Sequence, residues 1–251
     1  MSKVQLEIDA PVAVLTLSRP SVHNAVDDEV MSALERALDQ IESEPGVRCV
    51  VVTGSGHASF CAGGDLRYFA TIRTREECRA MSERMQAILA RLQDGGRFVI
   101  AAVNGRALGG GCEILTACHY RIAVESATFG FRQAANGVIT GWGGGRRLFE
   151  QLGRSRALEL LLTSRVIEAA EAHAMGFIDR VVPREQLRVA SFGLAREVAA
   201  APEASMRAFL ELATRDMADR SAWISRETEL FCDLWTGPTF SEVLERYRSD
   251  D

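Results

Sequence analysis

The sequence lacks several features that would assign it to a membrane, secreted or metal-binding class. No apolar run approaches the ~18–20 residues of a membrane-spanning helix. The first residues lead at once into a strand-like pattern, so we expect no signal peptide. The six cysteines, at positions 49, 61, 78, 112, 118 and 232, form neither CxxC pairs nor zinc-ligand spacings. We therefore expect a cytoplasmic protein with free thiols and no contact with a membrane.

The charge balance and the few histidines exclude two further classes of function. A formal net charge of −5 and a pI near 5.5 argue against nucleic acid as a partner. The four histidines are scattered along the chain, at positions 23, 57, 119 and 173, without ligand spacing, so we expect no metal site. We interpret His119 as a histidine at a helix end or in the core. With 251 residues and 47% apolar side chains, the chain can bury a sizeable core.

Strand-like and helix-like patterns alternate through most of the chain. Residues 4–8 and 12–17 predict a β-hairpin, and helical periodicity follows over residues 26–41. Apolar runs with the character of buried strands follow at residues 47–53, 98–103 and 120–124. This order predicts an α/β fold with mainly parallel strands. Beyond about residue 190 only helical patterns occur, so we divide the chain into a core of residues 1–190 and a helical region of residues 191–251.

A run of three glycines, Gly109 to Gly111, is the most informative segment. It follows the strand at 98–103 and opens a buried helix, so its backbone N–H groups lie at the positive end of that helix. An anion or a developing oxyanion suits such a position. Glu113 places a carboxylate about one turn away, where an acid/base group is useful. The alternative interpretation is a glycine cluster that serves packing, followed by a glutamate at a helix start.

A second glycine loop, residues 60–66, follows the strand at 47–53. Residues 54–56 (GSG) lack the third glycine of a dinucleotide-binding fingerprint, which argues against that class of site. Two strand ends with small residues can instead direct two N–H groups at one thioester oxygen. Asp65 has two interpretations, as the N-cap of the turn that follows and as a substrate contact.

Five segments together resemble the crotonase (enoyl-CoA hydratase/isomerase) superfamily. They are residues 19–25 (RPSVHNA), 60–66 (FCAGGDL), 107–113 (ALGGGCE), 141–148 (GWGGGRRL) and 174–179 (AMGFID). The resemblance implies a spiral of ββα units, a C-terminal helical region used in trimer assembly, and an acyl-CoA thioester substrate. It also implies a homotrimer or homohexamer that needs no metal or redox cofactor, coenzyme A entering only as part of the substrate.

The resemblance also assigns roles to individual residues. Ala62 and Gly110 correspond to the two N–H donors of an oxyanion hole, which hold the thioester oxygen as it becomes an enolate. Glu113 corresponds to the first of two glutamates that activate and position water in the hydratases. Three residues of the first loop are expected to lie along the acyl-CoA: Gly63, Gly64 and Asp65.

Gln133 departs from the family pattern, because hydratases carry their second glutamate at this position. An amide neither gives nor takes a proton near pH 7, so its role is to orient substrate or water, or merely to fill the pocket wall. The first hypothesis is an enoyl-CoA hydratase-like lyase. The alternatives are decarboxylation of a malonyl-type thioester, since residues 141–144 and 229–238 resemble the ethylmalonyl-CoA decarboxylase branch, and a pseudoenzyme that only binds acyl-CoA. For Arg146 and Arg147 we weigh contact with CoA phosphates against a solvated helix start.

Overall fold

The computed structural model describes residues 2–214 together with residues 228, 229, 231 and 233. The expectations for the rest of the helical region 191–251, and for most of the segment 229–238, lie outside the described residues. Cys232 lies outside them as well. Among the described residues, no helix has both the length and the apolar character that crossing a membrane requires.

Strands and helices alternate along the described chain. The strands are β1 (Val4–Asp9), β2 (Val12–Leu17), β3 (Cys49–Gly54), β4 (Ser59–Cys61), β5 (Phe98–Val103), β6 (Arg106–Leu108), β7 (Tyr120–Val124), β8 (Thr128–Gly130), β9 (Ile167–Glu168) and β10 (Arg180–Val182). The helices are α1 (Asp28–Ser43), α2 (Leu66–Phe69), α3 (Arg75–Asp94), α4 (Gly110–Thr116), α5 (Gly144–Thr163), α6 (Ala169–Met175), α7 (Leu187–Ala199) and α8 (Glu203–Thr214).

The larger sheet has the strand order β1-β2-β3-β5-β7-β10. β1 and β2 form the predicted antiparallel hairpin, and every other pair in this sheet is parallel. The runs of valine, isoleucine and alanine in β3, β5 and β7 are almost completely buried, as is typical of a parallel sheet covered on both faces. The α/β fold predicted from the sequence is therefore confirmed.

A second sheet, β4-β6-β8-β9, consists of strands of two or three residues. β4, β6 and β8 run parallel, and the backbone leaves β4 and β6 directly into the two glycine loops. The pairing of β4 with β6 thus places the two loops side by side. Strands this short carry no periodic signal, and the sequence did not predict them.

Side-chain caps define the starts of two helices, and a third helix covers part of the larger sheet. Asp27 caps α1 by accepting the N–H of Val30 at 2.9 Å, and Thr74 forms the predicted capping box with Glu77 at the start of α3. α7 packs against β3 and β5. The division at residue 190 therefore falls inside a helix that covers the core, and the two-part organisation stays a prediction.

Candidate active site

The two glycine loops meet at Gly63 and Gly110. A Cβ built on Gly63 would lie 2.8 Å from the nitrogen of Gly110 and 2.9 Å from the carbonyl oxygen of Leu108. Gly63 also has a φ of +92°, in the region that favours glycine. Glycine at this position is thus required both by the backbone conformation and by the close approach of the other loop.

Ala62 does not have the free N–H that its predicted role requires. Its N–H donates to the carbonyl of His23 at 3.0 Å and so anchors the loop to residues 19–25. A backbone N–H already paired inside the protein is not available to a thioester oxygen without breaking that bond. The expectation that Ala62 has a free N–H to donate therefore needs correction.

Gly64, not Ala62, has the free N–H of this loop. On either side of it, the Gly63 carbonyl accepts the N–H of Val26 at 2.8 Å, and the Asp65 N–H donates to the Val26 carbonyl at 2.8 Å. In a trans peptide the N–H points opposite to the preceding carbonyl, so the Gly64 N–H points away from Val26. Among the described residues, neither this N–H nor that of Gly110 has an acceptor.

Glu113 lies in the first turn of α4 and is 2% exposed. Its Oε2 accepts the N–H of Trp142 at 2.8 Å and the N–H of Gly144 at 3.0 Å. Burial raises the pKa of this carboxyl, and the N–H groups of Gly144 and Trp142 oppose the rise by stabilising the charged form. A carboxyl with a raised pKa is suited to proton transfer nearer neutral pH.

Gln133 and Glu113 are brought together by the structure. The Nε2 of Gln133 donates to Oε1 of Glu113 at 3.0 Å. The Oε1 of Gln133 is buried and has no hydrogen-bond partner among the described residues. Glu113 is thus held by three N–H groups, and the amide beside it presents one free acceptor.

Asp65 is occupied by structural contacts. It caps α2 by accepting the N–H of Arg67 at 2.9 Å, and its carboxylate pairs with Arg19 at 3.0 Å. Burial alone raises its pKa, but the Arg67 N–H and the Arg19 guanidinium lower the pKa of Asp65 overall. These contacts support the N-cap interpretation of Asp65, and its expected position along the acyl-CoA stays a prediction.

Neither cysteine near the glycine loops has the character of a nucleophile. Cys61 and Cys112 are completely buried, and burial raises the pKa of the Cys61 thiol to about 12 and that of Cys112 further. We therefore interpret Cys61 and Cys112 as small apolar residues of the core. No group of three metal-ligating side chains occurs in the part of the chain that the structure describes.

The packing of two residues of the site, Trp142 and Arg147, was not predicted from the sequence. The indole of Trp142 packs on Gly110, where a Cβ would lie 2.6 Å from Cε3 of the ring. Arg147 is buried, so a solvated position is wrong for it, whereas Arg146 is solvent-exposed as that interpretation expects. Contact of either arginine with CoA phosphates stays a prediction. The burial of Arg147 results from tertiary packing. A pair of arginines at the start of a helix does not indicate from sequence alone that one of them is buried.

Comparison with known proteins identifies the family. A family model described as enoyl-CoA hydratase/isomerase matches residues 7–247. The chain is 36% identical over 178 residues to a probable enoyl-CoA hydratase of Bacillus subtilis, covering 71% of this chain and 68% of that protein. It is 32% identical over 237 residues to a short-chain-enoyl-CoA hydratase of Clostridium acetobutylicum, covering 94% and 90%.

The solved structures agree with the sequence relatives. A crystal structure of an enoyl-CoA hydratase from Bacillus anthracis superimposes with a TM-score of 0.92 at 30% identity, covering 99% of this chain and 96% of that one. The chain therefore belongs to the enoyl-CoA hydratase/isomerase family and has the crotonase fold.

Proposed function

We propose that this protein is an enoyl-CoA hydratase-like lyase that adds water to the double bond of a 2-enoyl-CoA thioester. One observation carries the proposal. Glu113, a buried carboxylate held by backbone N–H groups, lies one helical turn from the unpaired N–H of Gly110. A proton-transfer group beside an oxyanion donor is the arrangement that enolate chemistry needs. The hydratases among its relatives support the same reaction class.

The N–H groups of Gly64 and Gly110 form the oxyanion hole in this proposal. They donate to the thioester oxygen, which becomes negative when a nucleophile adds to the β-carbon. Each such donor contributes about 3–4 kcal/mol to the stability of the transition state. Gly63 takes part by allowing the two loops to approach, and Ala62 by anchoring the first loop to His23.

Hydration in this site uses one carboxylate. Glu113 accepts a proton from water while the hydroxide oxygen bonds to the β-carbon, and the enolate is held by the oxyanion hole. The same carboxylic acid then returns the proton to the α-carbon, so the carboxylate is regenerated and one water is consumed. Gln133 cannot donate this proton, but its free Oε1 can accept a hydrogen bond from the attacking water.

The experiment measures the turnover of two sets of CoA thioesters by the purified protein. One set consists of 2-enoyl-CoA thioesters and the other of malonyl-type thioesters. Loss of enoyl-thioester absorbance with formation of the 3-hydroxyacyl-CoA supports hydration. Release of CO₂ from a malonyl-type thioester, with no hydration of any enoyl-CoA, would replace the proposal by decarboxylation. Binding of acyl-CoA without conversion of either set would identify a pseudoenzyme. Glu113→Gln serves as the matched inactive variant in the hydration assay.

Assembly, location and cofactor use are part of the same proposal. We infer a homotrimer or homohexamer in the cytoplasm, with the helical region 191–251 at the subunit contacts and no cofactor besides the CoA of the substrate. Light scattering coupled to gel filtration measures the number of copies. Unchanged turnover after dialysis against a metal chelator is the expected result for the cofactor, and loss restored by a metal contradicts it.

A further inference from the structure

Arg147 is a buried cation that forms no ion pair with any carboxylate of the described residues. It lies in the first turn of α5 and is 5% exposed. Its Nη2 donates to the carbonyl of Trp142 at 2.7 Å, and its Nε donates to the hydroxyl of Thr116 at 3.1 Å. No carboxylate of the described residues lies within 4 Å of the guanidinium. Burying a guanidinium without an ion pair is costly, so this position calls for a function beyond packing.

Both hydrogen-bond partners of Arg147 lead to Glu113. Trp142, whose carbonyl Arg147 holds, donates its own N–H to Oε2 of Glu113 at 2.8 Å. Thr116, whose hydroxyl Arg147 holds, donates to the main-chain carbonyl of Glu113 at 2.7 Å. Arg147 therefore connects the loop that binds the carboxylate with the helix that carries it.

The surroundings of the guanidinium leave Glu113 as its main negative neighbour. Burial lowers the pKa of Arg147, and the charge of Glu113 is the strongest influence that raises it. The other titratable groups facing Arg147 are Arg146 on α5, Cys118 after α4 and Asp94 at the end of α3. The thiol pKa of Cys118 is raised to about 12 by burial, so that group stays neutral at working pH.

We propose that Arg147 is a positioning residue for Glu113: it fixes the Trp142–Gly144 segment against the carboxylate and stabilises the carboxylate's charged form. This inference rests on the proposed function, since it assigns Glu113 the proton transfer. It adds a residue that touches neither the thioester nor the reacting water. The guanidinium acts only through Trp142, through Thr116 and through its charge.

The first test compares Arg147→Gln and Arg147→Lys with Arg146→Gln. Arg146 is 68% exposed on the same helix turn and pairs with Glu150, so it controls for loss of a cation. For Arg147→Gln we expect kcat to fall at least tenfold while KM changes less than threefold, and the acidic limb of the kcat–pH profile to move upward. Arg147→Lys keeps the charge and should recover part of the loss. Unchanged kcat and an unchanged profile in a folded Arg147→Gln would overturn the proposal.

The second test measures Glu113 directly and does not depend on turnover. Infrared difference spectra against Glu113→Gln report the pH at which this carboxyl ionises, and we expect that pH to rise in Arg147→Gln. If Arg147→Gln does not fold, Thr116→Val can replace it. This change removes the hydroxyl that joins Arg147 to the main chain of Glu113, with little change of volume, and should also raise the pH at which the Glu113 carboxyl ionises. An unmoved signal in Thr116→Val, and in Arg147→Gln where that variant folds, would overturn the inference. A shifted signal in a protein that hydrates no substrate would sink the proposed function alone.

Discussion

Gly144 and Glu113 fit against each other so closely that a Cβ on Gly144 would lie 2.7 Å from the Cβ of Glu113 and nearer still to its Cγ. The same glycine donates its N–H to the carboxylate at 3.0 Å. The backbone of residue 144 thus both binds the carboxylate and limits the positions its side chain can take. The general acid/base group of the proposed reaction is oriented by main-chain atoms of a loop more than thirty residues away.

Gly144→Ala is expected to lower kcat by at least a hundredfold, because the added methyl group displaces Glu113 from the backbone N–H groups of Trp142 and Gly144. A misplaced general base loses most of the 10²–10⁴-fold rate acceleration that such groups contribute. Steady-state kinetics with the best substrate of the panel measures the loss. Gly193→Ala, on α7 with open space around its Cα, is the matched control and should leave kcat unchanged. Equal activity of the two variants would contradict the role given to this contact.

Gly110→Ala should disturb both folding and the oxyanion hole, because its Cβ would lie 2.6 Å from Cε3 of the Trp142 ring. Overpacking of this kind typically costs about 1–3 kcal/mol of unfolding free energy. Trp142→Leu removes the clash, so the double variant should be more stable than the sum of the single effects predicts. Urea denaturation of the four proteins of this cycle measures the coupling. Strict additivity would show that the ring does not restrict position 110.

Glu113→Gln tests the acid/base role itself. We expect kcat for hydration to fall about 10²–10⁴-fold, since an amide cannot take a proton from water, while acyl-CoA affinity changes little. Glu150→Gln on the exposed face of α5 removes a carboxylate elsewhere and serves as the control. Calorimetric titration with a non-reactive acyl-CoA separates a loss of binding from a loss of chemistry. Hydration within tenfold of the unaltered protein would rule out Glu113 as the proton-transfer group.

Gln133→Glu restores a second carboxylate 3.0 Å from Oε1 of Glu113. Two carboxyls this close share a proton, so one of them is neutral over a wider pH range and can protonate the α-carbon. We expect the hydration rate to rise and its pH optimum to move upward. Gln40→Glu adds the same charge on the exposed face of α1 and should change neither quantity. A fall in rate would mean that the reaction depends on the Gln133 amide itself, whose Oε1 is a free hydrogen-bond acceptor.

The main sheet could be predicted from the sequence because each of its strands has a clear local pattern. β3 and β5 are buried apolar runs, and the hairpin β1–β2 alternates. The second sheet could not be predicted, because β4, β6 and β8 have only three residues each and exist through pairing between distant segments. Local propensity has little influence on strands that tertiary contacts hold in place.

The candidate site was only partly predictable for the same reason. The sequence indicates Glu113 and Gln133 as a pair, and the structure places them 3.0 Å apart. Which N–H of the first loop stays free depends on its contacts with His23 and Val26, about forty residues earlier in the chain. The motif therefore points to the loop that contains a free N–H, while the choice between Ala62 and Gly64 requires the three-dimensional pairing.

His119 provides a prediction about stability rather than activity. It is partly buried, its Nδ1 accepts the N–H of Val99 at 3.0 Å, and its ring stacks on Phe98. Burial, with a contribution from nearby Arg121, lowers the pKa of His119 from 6.5 to about 4. The unfolded chain therefore binds a proton first as the pH falls, and the stability present above pH 6.5 is lost progressively towards pH 4.

By pH 5 this group alone should remove about 2 kcal/mol of unfolding free energy relative to pH 7.5. His119→Asn keeps a short acceptor for the Val99 N–H but cannot take up a proton, so its stability should depend less on pH by that amount. Urea denaturation of both proteins at pH 7.5 and pH 5 gives the four free energies needed. Because every other titrating group is common to both proteins, the difference of the two pH effects isolates His119. Equal pH effects in the two proteins would show that the buried imidazole is protonated as easily in the folded chain as in the unfolded one.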